Sequence, residues 1–239
     1  PAETAPAGGR VAARTRPATR PGSQATSAPA SQPVSSLEGA EALYMKGDYA
    51  AAQQGYRLLQ AKEPLRLSAA VGLARALAME GKYAEAQEVL AAVEAEAAAD
   101  ASWHLQRAEV LATVGQYAQA LAAAETACRL RPKWAPAIFL RGSLLETLGC
   151  DEQAVAVYKT MEEVVADPAH LKDPPTLVAL GRILDRYAVL TGMKASEQAA
   201  NIYDNYFGRA YREVDKAYWP AAVAAGTFCL DKHRPQNAA

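Results

Sequence analysis

The stretch LARALAMEGKYAEA (residues 73–86) sets Leu77 four residues before Gly81 and Ala86 five after it, with Tyr83 between. Thirty-four residues on, RAEVLATVGQYAQA (residues 107–120) repeats the frame as Leu111, Gly115, Tyr117 and Ala120. Working outward, Gly47 and Gly149 complete a row of four glycines at a step of 34, flanked by Leu43 and Leu145 and by Ala52 and Ala154. Glycine is about 7% of average sequence, so three further glycines in register arise by chance roughly once in a few thousand trials. The chain is a helical repeat array.

Each unit reads as two helices around a turn. In residues 68–80, Ala70, Leu73, Ala74 and Leu77 recur at helical spacing and define one buried face. Gly81 supplies the left-handed turn that carries little penalty only without a Cβ. The second helix is expected through Ala86, Leu90 and Val93, with Ala86 small enough for close helix approach. Pro64 and Pro132 end their units, because proline cannot continue a helix interior.

These residues resemble the tetratricopeptide repeat, a 34-residue helix–turn–helix unit favouring leucine, glycine, tyrosine, alanine and a closing proline at matching places. The resemblance covers most of residues 37–239. It departs at Asp151, where Tyr49, Tyr83 and Tyr117 have the tyrosine, and at Ala98 and Ala166, where Pro64 and Pro132 have the proline. It implies an all-α, right-handed α-solenoid that serves as a protein–protein interaction scaffold, and it brings no catalytic residue.

The organisation follows. Residues 1–36, rich in Pro, Ala, Ser and Thr, read as a disordered tether, and its Arg10, Arg14, Arg16 and Arg20 as solubilising charge. Four regular repeats run to about residue 168 and a longer fifth to about 218, its second helix expected over 195–217. A sixth starts at Trp219, with Ala225, Gly226 and Cys229 in first-helix positions and Ala238 as its small second-helix residue. From Gly149 to the matching His233 the step is 84 residues rather than 68. The pattern stops as a second helix is due, which leads us to expect further repeats or another domain beyond Ala239.

Composition narrows the function. A net charge of −1 offers no global field for nucleic acid or an anionic membrane, although residues 1–36 carry +3 and the rest −4. No apolar run approaches 18 residues, so no span is expected. Pro1 with an Ala/Pro-rich start fits a processed extracytoplasmic chain, and an extracytoplasmic location is the expectation. Cys128, Cys150 and Cys229 read as small buried fillers. His104, His170 and His233 lie in different repeats without ligand spacing, and no phosphate loop or nucleophile elbow is present, so no metal, cofactor or catalytic constellation is expected.

In such superhelices the first helices build the concave face. Ten residues before the loop glycines stand Leu37, Val71, Leu105 and Phe139, with Val178 and Val223 in the comparable later places and Met45 and Met79 nearby. This apolar row is the candidate groove for a protein or peptide partner; packing of repeat on repeat is the competing reading. Some tetratricopeptide domains clasp an acidic chain terminus through inner lysine, asparagine and arginine. Here Glu41, Arg75, Glu109 and Ser143, and Glu38, Gly72, Gln106 and Leu140, occupy those places and form no such clamp. Arg182, Asp185 and Arg186 read as a charged patch. Tyr203, Tyr206, Phe207, Tyr211 and Tyr218 read as one helical face, either core or an alternative partner surface. Two other readings stand beside the groove scaffold: the accessory arm of an extracytoplasmic enzyme, such as a hydrolase, catalytic beyond residue 239, and self-association through solenoid ends.

Overall fold

A computed structural model describes residues 35–233; the expected tether lies almost wholly outside them, as does Ala238. Four helix pairs open the chain: α1 (Leu37–Met45) with α2 (Tyr49–Gln60), α3 (Arg66–Met79) with α4 (Tyr83–Ala91), α5 (Ala101–Thr113) with α6 (Tyr117–Leu130), and α7 (Ala135–Thr147) with α8 (Asp151–Lys159). Short α9 (Met161–Val165) and a 3₁₀ turn at His170–Lys172 lead to α10 (Pro174–Thr191). There follow α11 (Ala195–Ile202), prolonged by widened i→i+5 turns over Tyr203–Gly208 and Ala210–Val214, and α12 (Trp219–His233).

Side chains start several helices by accepting orphan backbone N–H groups. Asp100 accepts from Trp103 at 2.7 Å to open α5, and Asp173 accepts from Thr176 at 3.0 Å to open α10. Ser36 and Asp48 do the same for α1 and α2.

The turns explain two sequence rows at once. Gly47, Gly81, Gly115 and Gly149 have φ of 80°, 75°, 80° and 74°. The residue after each glycine donates its N–H to the carbonyl of the leucine four before it: Asp48 to Leu43, Lys82 to Leu77, Gln116 to Leu111 and Cys150 to Leu145, at 2.8–3.0 Å. Each is a Schellman closure. A Cβ at these glycines would meet nothing within 4 Å, so glycine is required there by backbone angle rather than by space. The fifth pair closes identically, Met193 donating to Ala188 around Gly192 at φ 68°.

The alanine row is the packing counterpart: Ala52, Ala86, Ala120 and Ala154 are all fully buried. First helices touch in succession from α1 through α3, α5, α7 and α10 to α12, forming one wall, while each second helix packs between the first helix of its own pair and that of the next. The core is a chain of clusters, each shared between neighbouring pairs, as stacked repeats require.

Three expectations need correction. Helix α4 stops at Ala91, not beyond Val93, because the buried Trp103 indole donates to the Leu90 carbonyl at 3.0 Å and the chain turns through tighter bonds, Val93 to Leu90 among them. The fifth pair's second helix ends at Val214 rather than 217 and is not a regular α-helix. Its i→i+5 bonding brings Ile202 and Phe207, five apart, to the same buried side. Finally, the three cysteines are half-buried free thiols, not buried fillers; Cys150 stands at the start of α8.

Candidate partner-binding groove

The first helices enclose a groove of about 1410 Å³ whose lining runs from α1 to the start of α12. Val71 of α3, Leu105 of α5, Phe139 of α7 and Val178 of α10 all line it, each one helix pair further along, together with Met45 and Met79. Leu105 and Val178 are buried in its floor, Val71 and Phe139 are half-buried, and Met79 is 44% exposed. Leu37 is not among the lining residues; it packs on the core shared by the first two pairs. Val223 is not there either, standing 54% exposed on α12. Pro132, Trp134 and Tyr218, which had no place in the row, add apolar wall.

One pair of charges in the groove is joined across repeats. Arg75 of α3 forms an ion pair with Glu41 of α1 and sits 4.2 Å over the Tyr44 ring. Burial pushes the Tyr44 hydroxyl up to about 12. Glu109 is exposed on the open groove, and the walls crowding it raise its carboxyl above the ordinary carboxylate range, against the pull of Arg75 and Arg182 and a bond from Gln106. Arg182 lies 5.5 Å over the Phe139 ring. Arg75, Glu109 and Arg182 therefore alternate in sign along the apolar row, and Arg131 and Lys133 add further cations to the groove wall.

No family model matches the sequence, and a search of the curated proteins finds no relative. Solved structures do match. TTC0263, a thermophilic tetratricopeptide protein of Thermus thermophilus, superposes at a TM-score of 0.58 with 20% identity, over 81% of this chain and 97% of that one. A tetratricopeptide repeat protein from Parabacteroides merdae does so at 0.50 with 18% identity, over 84% and 87%. The fold is the tetratricopeptide-repeat solenoid.

Within this tetratricopeptide solenoid the charged trio of the fifth pair is divided, not gathered. Arg182 faces the groove, Asp185 pairs with Lys232 of α12, and Arg186 clasps Glu146 of α7, its Nε donating at 3.0 Å. The aromatic stripe divides too. Phe207 is buried; Tyr206 packs between two core clusters; Tyr203 and Tyr211 share a hydroxyl–hydroxyl bond of 2.9 Å at the rim. Tyr218 follows the helix and turns into the groove.

Sequence reasoning missed two tyrosine–glutamate–arginine triads of the solenoid. Tyr56 donates to Glu41 at 2.8 Å while Arg75 holds the same carboxylate; Tyr158 donates to Glu146 at 2.6 Å while Arg186 holds it. Burial and the carboxylate bond raise both tyrosines well above the usual range. Their signal was available: both tyrosines stand nine residues after a loop glycine, where the other two units have Leu90 and Ala124. Among the described residues no three His, Cys, Asp or Glu side chains gather as a metal site needs, and no helix is long and apolar enough to cross a membrane.

Proposed function

We propose that the chain is a protein-interaction scaffold whose concave groove captures an apolar segment of a partner. The observation that supports this reading is the alignment of Val71, Leu105, Phe139 and Val178, one from each of four successive first helices, along a single groove. A stack of helix pairs held by shared clusters loses little conformational freedom on binding, so apolar contact translates into affinity rather than into ordering the receptor. The alternating charges set orientation: a segment with hydrogen-bonding groups beside its apolar anchors meets Arg75, Glu109 and Arg182 in turn. The tetratricopeptide fold is consistent with this role.

Selection of peptides from a random library on the full chain tests it. The expected winners are apolar, and Met79→Glu, a change at a half-open groove position, weakens them at least tenfold while Leu58→Glu on the exposed side of α2 does not. Winners dominated by charge, or binding insensitive to Met79→Glu, overturn the proposal.

A further inference from the structure

The concave groove holds more positive than negative charge, although residues 37–239 as a whole carry −4. Four cations line it, Arg75, Arg131, Lys133 and Arg182, against the carboxylates of Glu41, Glu109 and Asp173. Two of those carboxylates are already engaged. Glu41 takes Arg75 and the Tyr56 hydroxyl, and Asp173 accepts both the N–H and the hydroxyl of Thr176 at the start of α10. That leaves one carboxylate, Glu109, for three cations. Among the described residues the side chains of Arg131, Lys133 and Arg182 form no ion pair and donate no hydrogen bond.

The two arginines are steadied without using their donors. Arg131 lies 4.1 Å over the Trp134 ring and Arg182 5.5 Å over the Phe139 ring. A ring face attracts the guanidinium plane and leaves the N–H groups at its edge free for an oxygen acceptor. Backbone position spreads the cations to both sides of the apolar row. Arg131 and Lys133 stand in the turn before α7, ahead of Phe139, whereas Arg182 stands one helical turn after Val178. The lining continues past them in both directions, through Leu105 and Val71 towards α1 and through Tyr218 and Trp219 towards α12.

We propose that the segment received by this groove is acidic as well as apolar, its Asp or Glu side chains flanking the apolar anchors and pairing with Arg182 on one side and with Arg131 and Lys133 on the other. The inference rests on the groove-scaffold reading and names the chemistry of its partner. The acids are internal to the segment, because a single terminal carboxylate reaches only one side of the row and leaves the lining beyond it uncovered. Carboxylates suit the free forks of the arginines, and the local excess of positive charge steers an acidic segment into the groove of an otherwise negative repeat region.

The test uses the full chain, immobilised, and three pools of short random peptides with acetylated and amidated ends. Each pool is made from Leu, Val, Phe, Ala and Ser with Glu, Gln or Lys as the sixth residue. The Glu pool is expected to be retained at least tenfold over the Lys pool and at least threefold over the Gln pool, an excess that falls as salt rises. Arg131→Gln, Lys133→Gln and Arg182→Gln combined in one chain erase that excess and leave retention of the Gln pool and the melting temperature unchanged, all three positions being exposed. Met79→Glu lowers retention of the Gln pool. Equal retention of the three pools, with the Gln pool still lowered by Met79→Glu, overturns the acidic partner and leaves the apolar groove standing. A Glu excess that survives the triple substitution overturns it as well, as does a Gln pool with free carboxyl ends that outdoes the amidated Glu pool. Retention of no pool, or retention indifferent to Met79→Glu, overturns both readings.

Discussion

Trp103 donates its indole N–H to the main-chain oxygen of Leu90 at 3.0 Å, a bond that ties the first helix of one pair to the second helix of the pair before it. The indole is buried, so the bond has no competing water. Trp103→Phe keeps an aromatic ring but removes the indole bond and leaves the Leu90 carbonyl to weaker backbone donors such as Val93, at 3.3 Å. A loss of about 1–3 kcal/mol is expected, read as a lower urea midpoint with an unchanged slope.

Two glycine substitutions separate backbone from space. Gly115→Ala forces a side chain into a φ of 80° with open surroundings and is expected to cost about 1 kcal/mol. Gly142→Ala drives a methyl into the Tyr158 ring and is expected to cost more. Combining it with Tyr158→Ala removes the collision, so the pair falls short of additivity by about 0.5–3 kcal/mol, whereas Gly115→Ala with Tyr158→Ala adds normally. Chemical denaturation of the three single and two double variants measures both differences.

Glu146 holds Tyr158 and Arg186 together across two repeats. Arg186 is 42% exposed, so water screens much of the ion pair, and the hydrogen bonds rather than the net charge are expected to carry its effect. Glu146→Gln therefore costs on the order of 1 kcal/mol, and Arg186→Lys, which loses the planar fork, costs a similar amount despite keeping the charge. A double-mutant cycle of Tyr158→Phe with Glu146→Gln is expected to show coupling; independent effects would mean the triad is incidental.

Glu109 gives the groove a pH dependence whose sign is fixed by the raised carboxyl. With a folded value near 7 against 4.5 unfolded, the native chain holds more protons between these limits. Glu109 is exposed on the groove, so water screens much of this effect; the share that remains is lost as pH rises from about 4.5 to 7. Glu109→Gln removes that slope and is expected to raise the melting temperature at pH 8 but not at pH 4. An unchanged pH profile in the variant would show that the wall around Glu109 does not desolvate it.

The turns were legible in residues 73–86 and their copies because a left-handed glycine, and the leucine carbonyl that closes around it, are local requirements. So was much of the groove row, since one residue per repeat at fixed spacing stays on one wall of the stack. Leu37 broke that rule by turning to the core of the first two pairs. Arg182, Asp185 and Arg186 are three and four apart on one helix, yet α12 and α7 claim two of them. Helix periodicity places a side chain on a face but does not name the neighbour that meets it.

By itself, then, the sequence determined the beat: where the first helices turn, which alanines admit close approach, and that units of this length stack. Those follow from φ and volume at single positions. Tertiary structure decided what long-range partners decide: the Trp103 bond that shortens α4, the triads joining Glu41 to Arg75 and Glu146 to Arg186, and the widened turns that bury Ile202 and Phe207 together. The reason is physical: such contacts join residues tens of positions apart, and their geometry exists only once the pairs are stacked.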